Sequence, residues 1–255
     1  MSQPTPATQT NNAAIQWGEG DVPVSVEYDD PYFARENGLG ETRHVFLAGN
    51  RLPDRFANRH HFQIAELGFG TGLNFFSTLS AWRNRPAPKA GANLTYTSFE
   101  KSPLSREDMA RAAAAWPELT PIVTECLDLW PSAPDENIIA LSCPDATLEL
   151  YLGDANQRLH DWHAPVDAWY LDGFSPARNP ELWGAELMNR VFALTVPGGT
   201  FATYTVAGWI RRNLAAAGFT LEKFPGHGRK RESLRGWRPA DTPADVDVSN
   251  SPTSG

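Results

Sequence analysis

Cysteine is scarce in this chain: Cys126 and Cys143 are the two present. Two cysteines make no disulfide framework, and these have no metal-ligand spacing, so no metal is expected and a reducing compartment fits. Long apolar runs are missing as well. No stretch approaches the roughly 20 residues that a membrane-spanning helix needs, so no membrane partner is expected. The opening Met1-Ser2-Gln3 leads into a polar segment with neither a basic start nor an apolar core, and no signal peptide is expected. A soluble, cytoplasmic protein is the expectation. Positive charge is also short: 22 Lys and Arg stand against 30 Asp and Glu, a formal net charge of −8. That sum weighs against a nucleic-acid partner, because phosphate contact needs Lys and Arg. A local basic patch would override it.

What the chain has is enough apolar material for a real core, 41% of 255 residues. That length fits one large domain with embellishments. The centre of the pattern is Ile64-Ala65-Glu66-Leu67-Gly68-Phe69-Gly70-Thr71-Gly72-Leu73-Asn74. The apolar run Phe62 to Leu67 reads as a buried strand, and a helix opens at Leu73. Gly68, Gly70 and Gly72 between them permit a sharp turn and close approach of a ligand to the backbone. The helix start points unpaired N–H groups over that turn. The spacing is neither the dinucleotide fingerprint nor a phosphate loop. An acid ending the strand before G-x-G-x-G looks like the first motif of class I S-adenosyl-L-methionine (AdoMet) methyltransferases. Tight packing alone also produces such turns.

The flanking elements alternate. Residues 1–13 read as a disordered tail. Ala14 to Trp17 and Val22 to Val26 read as a hairpin, and Glu41 to Ala48 as a helix, within an extension over 14–60 that either caps the sheet or serves as a substrate-side lid. Leu94 to Phe99 alternates as a second strand and ends on Glu100, where an α/β nucleotide site grips ribose hydroxyls; a solvated strand-end acid is the other reading. Thr147 to Leu152 is a strand ending in Gly153-Asp154-Ala155. Asp154 there suits an adenine amine, a helix cap, or both. Val166 to Leu171 delivers Asp172-Gly173-Phe174-Ser175-Pro176. Helix Pro180 to Leu194, a turn at Pro197-Gly198-Gly199, strand Thr200 to Val206 and helix Trp209 to Ala217 follow. Phe219 to Phe224 and Arg231 to Leu234 look like a closing antiparallel pair. The tail 239–255 is acidic, polar and expected to be disordered. The alternation predicts an α/β, doubly wound, mostly parallel sheet over 61–238.

Several blocks together resemble one family: Glu66 to Phe75, Ser98 to Leu104, Trp169 to Trp183, Gly218 to Glu232, and the upstream Asn37 to Phe46. It is the methyltransferase module of the wobble-uridine modifying MnmC proteins, which also occurs alone as MnmD. The match runs from about Val24 to Gly236. The resemblance implies a Rossmann-like class I methyltransferase fold: a seven-stranded sheet with an antiparallel last strand, plus the N-terminal hairpin and helix. It implies AdoMet as cofactor, contacted by Glu66, Gly68, Gly70, Gly72, Asn74, Glu100, Lys101, Asp154, Ala155 and Asp172. It implies methylation of the primary amine of 5-aminomethyl-(2-thio)uridine at the tRNA wobble position. Two-headed relatives continue into a flavin oxidoreductase module. This sequence ends at Gly255 without one, so no FAD is expected, and an oxidoreductase, fused or separate, is an expected partner. A monomer is expected.

The residues give that chemistry roles. The attacking amine must be neutral, and Asp172 is placed to orient its lone pair and accept a proton. A turn-forming Asp-Gly pair is the plainer reading. Phe174 is expected to stack on an extruded uracil or to be an ordinary core aromatic. Tyr28, Tyr32, Phe33 and Pro176 are further substrate-side candidates. Arg229, Lys230, Arg231, Arg235 and Arg238 against Glu232 give a local excess of basic charge. With Arg178, Arg211 and Arg212 it reads as a footprint for the tRNA anticodon loop, although basic runs are often merely solvated. The competing readings are an AdoMet-dependent methyltransferase for another amine, on a small molecule or a protein, and a binding scaffold without catalysis.

Overall fold

The computed structural model describes residues 12–34, 37–86, 90–135, 137–228 and 230–240. Arg229, the expected tails up to residue 11 and from residue 241, and part of the Pro86-Ala87-Pro88 helix break lie outside them.

The chain begins with a small sheet, β1 (Ile15–Trp17), β2 (Pro23–Ser25) and β3 (Asp30–Pro31), all antiparallel. The expected hairpin is there, with a third short strand beside it. Its order starts one residue earlier than expected, since Ala13 N donates to Pro103 O at 2.9 Å. A short helix α1 (Gly38–Glu41) runs on into a wider, π-type turn over Thr42–Ala48. Then come β4 (His61–Leu67), α2 (Leu73–Arg83), β5 (Asn93–Glu100), α3 (Arg106–Ala113), α4 (Thr120–Asp128), β6 (Ile138–Cys143), β7 (Ala146–Leu152), α5 (Ala155–Asp161), β8 (Val166–Leu171), α6 (Ala185–Leu194), β9 (Thr195–Thr203), α7 (Gly208–Ala217), β10 (Thr220–Pro225) and β11 (Glu232–Trp237).

The main sheet has eight strands in the order β10-β11-β9-β8-β4-β5-β7-β6. β4, β5, β7, β8 and β9 pair in parallel, and β11 inserts antiparallel between β9 and β10. The seven strands that the resemblance implies are all present. The eighth, β6, legible in the sequence as a strand over Ile138 to Leu141, is an antiparallel edge strand that folds back on β7 through Asp145. β4 and β8 are buried nearly end to end because helices cover both faces. Ile64, Ala168 and Tyr170 face the layer of α2, α3 and α4, while Ala65, Trp169 and Leu171 face α5, α6 and α7.

Two local expectations change. Pro197-Gly198-Gly199 is not a turn but a bulge inside β9: the β8 pairing steps from Val166–Thr195 to Ala168–Thr200. The expected helix 180–194 is split, with a 3-10 turn over Pro180–Trp183 and a break at Gly184.

The N-terminal extension is packed into the domain. Val45, Phe46, Leu47 and Phe56 are buried. Asn50 Nδ2 donates to Trp169 O at 3.1 Å and Arg55 Nη2 to Asp167 O at 3.0 Å, which ties the segment to β8. Among the described residues no helix is long and apolar enough to cross a membrane.

Candidate active site

β4 has β5 on one side and β8 on the other, so the connections diverge between β4 and β8. Ligands in open α/β sheets bind outside the carboxyl ends of the strands at such a point. There the structure has a cavity of about 610 Å³, within the usual range for a small-molecule site. Its floor is the loop after β4 and the loop after β8. The two come so close that a Cβ on Gly68, whose φ is +83°, would stand 3.2 Å from Gly173 Cα. Glycine at 68 permits that approach, and at Gly173, whose φ is +119°, a Cβ would instead meet Leu182.

Glu100 ends β5 and shapes this floor. Its Oε2 accepts the N–H groups of Phe69 at 3.0 Å and Gly70 at 3.1 Å, and its Oε1 accepts Ser102 N at 2.8 Å. Burial raises its pKa, and these backbone donors oppose the rise. Asp154 caps α5 by accepting Asn156 N at 2.8 Å, and both Asp154 and Ala155 line the cavity. Lys101 lines it too, with Nζ 2.7 Å from Glu27 Oε1.

Asp172 follows β8 and opens on the cavity. Its Oδ1 accepts Gly173 N at 2.8 Å and its Oδ2 accepts Asn74 Nδ2 at 2.8 Å. Burial pushes its carboxyl up to about 7, against the pull of those two donors and of Lys230. A carboxyl group poised there exchanges a proton near neutrality.

Asn74, in the first turn of α2, is the hub behind it. The second hydrogen of Nδ2 goes to Glu66 Oε1 at 2.8 Å, and Oδ1 accepts from Thr42 Oγ1 at 2.9 Å. Glu66 itself is displaced from its expected place. It is fully buried, does not line the cavity, and spends its second oxygen on Ser98 Oγ at 2.8 Å. It supports Asn74 from below because its side chain points down into the sheet. Burial and the nearby Asp172 charge raise its pKa well above the carboxylate range. Gly72 is likewise off the cavity wall. With φ +78° it caps α2, and a Cβ would meet Phe76 and Phe69.

The N-terminal extension closes the other side. Tyr28 stacks on Phe174, with centroids 4.6 Å apart and planes at 23°, and Tyr32 meets the same ring edge-on at 5.0 Å. Asp30 Oδ2 accepts Ser175 N at 2.9 Å and Asp29 Oδ2 pairs with Arg178 Nη1 at 2.9 Å. Thus Tyr28 meets Phe174, Asp29 meets Arg178 and Asp30 meets Ser175. Phe33 lines the cavity and packs edge-on against Trp116.

The expected basic footprint is only partly on this face. Lys230 turns toward the cavity, pairs with Glu41 at 2.7 Å and lies 4.0 Å over the Tyr204 ring. Arg178 and Arg211 are off the wall, because Arg178 is held by Asp29 and Arg211 Nε donates to Val206 O. Arg235 pairs with Glu222, and Arg238 donates to Thr195 O. Arg231 is exposed, and neither it nor Pro176 lines the cavity.

Thr42, Glu41 and Tyr204 received no role from the sequence. Glu41 and Thr42 lay inside a family-like block, and that was the one available signal. Among the described residues the cavity wall carries seven carboxyl groups (Glu27, Asp30, Glu41, Glu100, Asp154, Asp172 and Glu181) against Lys101 and Lys230, each of which is paired with an acid. This wall suits a cationic ligand and opposes a triphosphate or a dinucleotide. The positive-φ loop glycines, the strand-end acids and the acidic wall fit AdoMet.

Comparison with known proteins agrees. Residues 117–239 match the model of a family described as S-adenosyl-L-methionine-dependent methyltransferase. Two similar proteins are both described as tRNA 5-methylaminomethyl-2-thiouridine biosynthesis bifunctional protein MnmC. The one from Aeromonas hydrophila is 46% identical over 246 residues, covering 92% of this chain and 37% of its own length. The one from Caulobacter vibrioides is 46% identical over 237 residues, covering 92% and 40%. The chain thus spans about two-fifths of the length of these relatives. The crystal structure of MNMC2 from Aquifex aeolicus superposes with a TM-score of 0.70 at 20% identity, covering 91% of this chain and 72% of that one, and it shares the fold. A class I methyltransferase sheet, a cavity built for a cation and this sequence identity lead to one assignment: the chain belongs to the S-adenosyl-L-methionine-dependent methyltransferases, in the family of the MnmC methyltransferase domain.

Proposed function

We propose that this protein transfers a methyl group from AdoMet to the primary amine of 5-aminomethyl-2-thiouridine at the wobble position of tRNA, giving the 5-methylaminomethyl base. The observation that carries the reading is Asp172. Its carboxyl sits at the switch point, near neutrality in pKa, between the glycine floor and the Tyr28–Phe174 stack.

Bound AdoMet supplies an electrophilic methyl group on a cationic sulfur, which keeps the bonding pair when the methyl leaves. Gly68 and Gly70 would allow the cofactor to lie against the backbone, Glu100 would accept a ribose hydroxyl at the Oε1 lone pair that its backbone donors leave free, and Asp154 with Ala155 would bound the adenine end. Lys101 stands at the rim. Ionised Asp172 accepts a hydrogen bond from the neutral amine and aims its lone pair inward. As the C–N bond forms, Asp172 takes the surplus proton from nitrogen. Most of the rate gain is positioning. Phe174, with Tyr28 and Tyr32 against it and Phe33 elsewhere on the wall, walls the pocket that receives the extruded base. Pro176, Arg178, Arg211, Lys230 and Arg231 border the path of the anticodon loop.

The test is to incubate the protein with labelled AdoMet and with tRNA that carries or lacks the aminomethyl base, then digest to nucleosides. Label is expected in the methylaminomethyl nucleoside alone. Label on tRNA lacking the aminomethyl group, or on no tRNA at all, overturns the reading. The acidic wall also suits a small cationic amine. Transfer to free amines in place of tRNA would favour that alternative.

A further inference from the structure

Glu66 and Asp172 end the two central strands, and one neutral amide joins them. Both hydrogens of Asn74 Nδ2 are committed, one to each carboxyl, at 2.8 Å. The amide cannot flip, because its oxygen must face the Thr42 hydroxyl that donates to it at 2.9 Å. Glu66 has no exposed surface. The groups that face it are Asn74 from α2, Ser98 and Tyr96 from β5, and Asp172 beyond β8, with Tyr170 of β8 close by. Among the described residues no cation stands with them. An ionised carboxylate at this depth, with neutral donors alone (Asn74, Ser98 and, in that state, the Tyr96 hydroxyl) and a second anion sharing one of them, is uncompensated. Two like charges so coupled do not both persist; one group takes up a proton.

A proton on Glu66 needs an acceptor, and one is in place. The Tyr96 hydroxyl, buried and without a hydrogen bond of ordinary length, faces the Glu66 carboxyl; it donates to an ionised Glu66 and accepts from a protonated one. Asp172 has no such neighbour: its two oxygens take N–H donors and its open side faces the cavity.

We propose that Glu66 is held as a neutral acid hydrogen-bonded to Tyr96, a positioning residue that leaves the single negative charge of the Glu66–Asn74–Asp172 chain on Asp172. This deepens the reading of Asp172 as the amine acceptor. The proton stored below the amide keeps a second anion from raising Asp172 further, so Asp172 remains ionised when the amine arrives. It also gives the buried strand-end acid a function other than cofactor contact.

Two measurements test it. Infrared spectra of the intact protein, prepared with ordinary and with carboxyl-labelled glutamate, are recorded at about pH 8, far above the ordinary carboxylate range. A protonated-carboxyl band that shifts with the glutamate label and disappears in Glu66→Gln is expected. A spectrum without a label-sensitive band overturns the proposal. This arm needs no substrate, so it stands or falls separately from the proposed reaction. In the second, the pH profile of methyl transfer is compared between wild type and Glu66→Gln, which preserves shape and neutrality. The acidic limb is expected to stay in place, with turnover kept by Gln and lost in Glu66→Ala. A limb displaced by roughly one pH unit or more to lower pH would show that an anion had been removed, and the proposal fails. If turnover is too low to profile, the infrared arm decides.

Discussion

Asn74 Nδ2 lies 2.8 Å from Asp172 Oδ2, so the first turn of α2 holds the carboxyl that ends the path of β8. The bond bridges 98 positions of sequence and favours the ionised form of Asp172. Removing it with Asn74→Ala should lower kcat by about 10- to 100-fold through loss of positioning. It should also move the acidic limb of the rate profile to higher pH, because the charged form loses a donor. A lower rate with an unmoved limb would mean that Asn74 does not act through Asp172.

Asp172 also links stability to pH. Its folded pKa is about 7 against a reference of 3.8. Between those values the native state holds a proton that the unfolded chain has released, so stability rises as pH falls through that window. Above the upper value the cost of the buried charge is fully present. Asp172→Asn should therefore lose methyl transfer yet melt at a higher temperature than wild type at alkaline pH, with the gap closing toward about pH 4. Equal melting temperatures at both extremes would contradict the burial argument.

The close approach of the two floor loops separates strain from contact. Gly68→Ala and Gly91→Ala both force a side chain into positive φ, +83° and +71°, but only the first Cβ meets neighbouring atoms. Each should cost about 1–2 kcal/mol of stability in denaturant melts. Calorimetry should show AdoMet binding weakened by about tenfold or more, a loss of roughly 1.4 kcal/mol, in Gly68→Ala alone. Equal affinity in both variants would remove the floor from the cofactor site.

Tyr28→Ala and Phe174→Ala remove the stacked pair. Each should lower kcat/KM for the tRNA substrate by about 10-fold or more, as expected for a base-stacking surface worth about 1–3 kcal/mol. AdoMet affinity should hold. The two changes should be non-additive in stability by about 0.5–1.5 kcal/mol. A parallel loss of AdoMet affinity would place the aromatics on the cofactor instead.

Arg231 remains exposed while Lys230 is drawn to Glu41. Arg231→Glu should weaken tRNA binding and flatten its dependence on salt, with a slope change of about 1–2. An unchanged slope would take this hairpin out of the RNA interface.

The elements were largely legible because their signals are local. An apolar run, three glycines and a helix start mark β4 and its loop without reference to the rest of the chain, and Ser105 caps α3 with the Asp108 N–H as its pattern implies. The bulge in β9 was not legible. Pro197-Gly198-Gly199 has turn chemistry, and only the pairing of Thr195 and Thr200 on either side of it, with β8 and β11, holds it within a strand. Glu66 was misplaced for a related reason: a strand-end acid is visible in sequence, but the face it points to depends on register.

Sequence alone therefore determined the sheet-and-helix alternation, the glycine turn and the acids that close β4, β5, β7 and β8, since these follow from periodicity and backbone freedom over a few residues. Tertiary structure decided which of those acids opens on the cavity and which is withdrawn beneath it. It set Tyr28 on Phe174, and it turned Lys230 across 189 positions to Glu41. Such choices depend on how distant crossovers stack on the two faces of the sheet, and side-chain partners are fixed only when that packing excludes water.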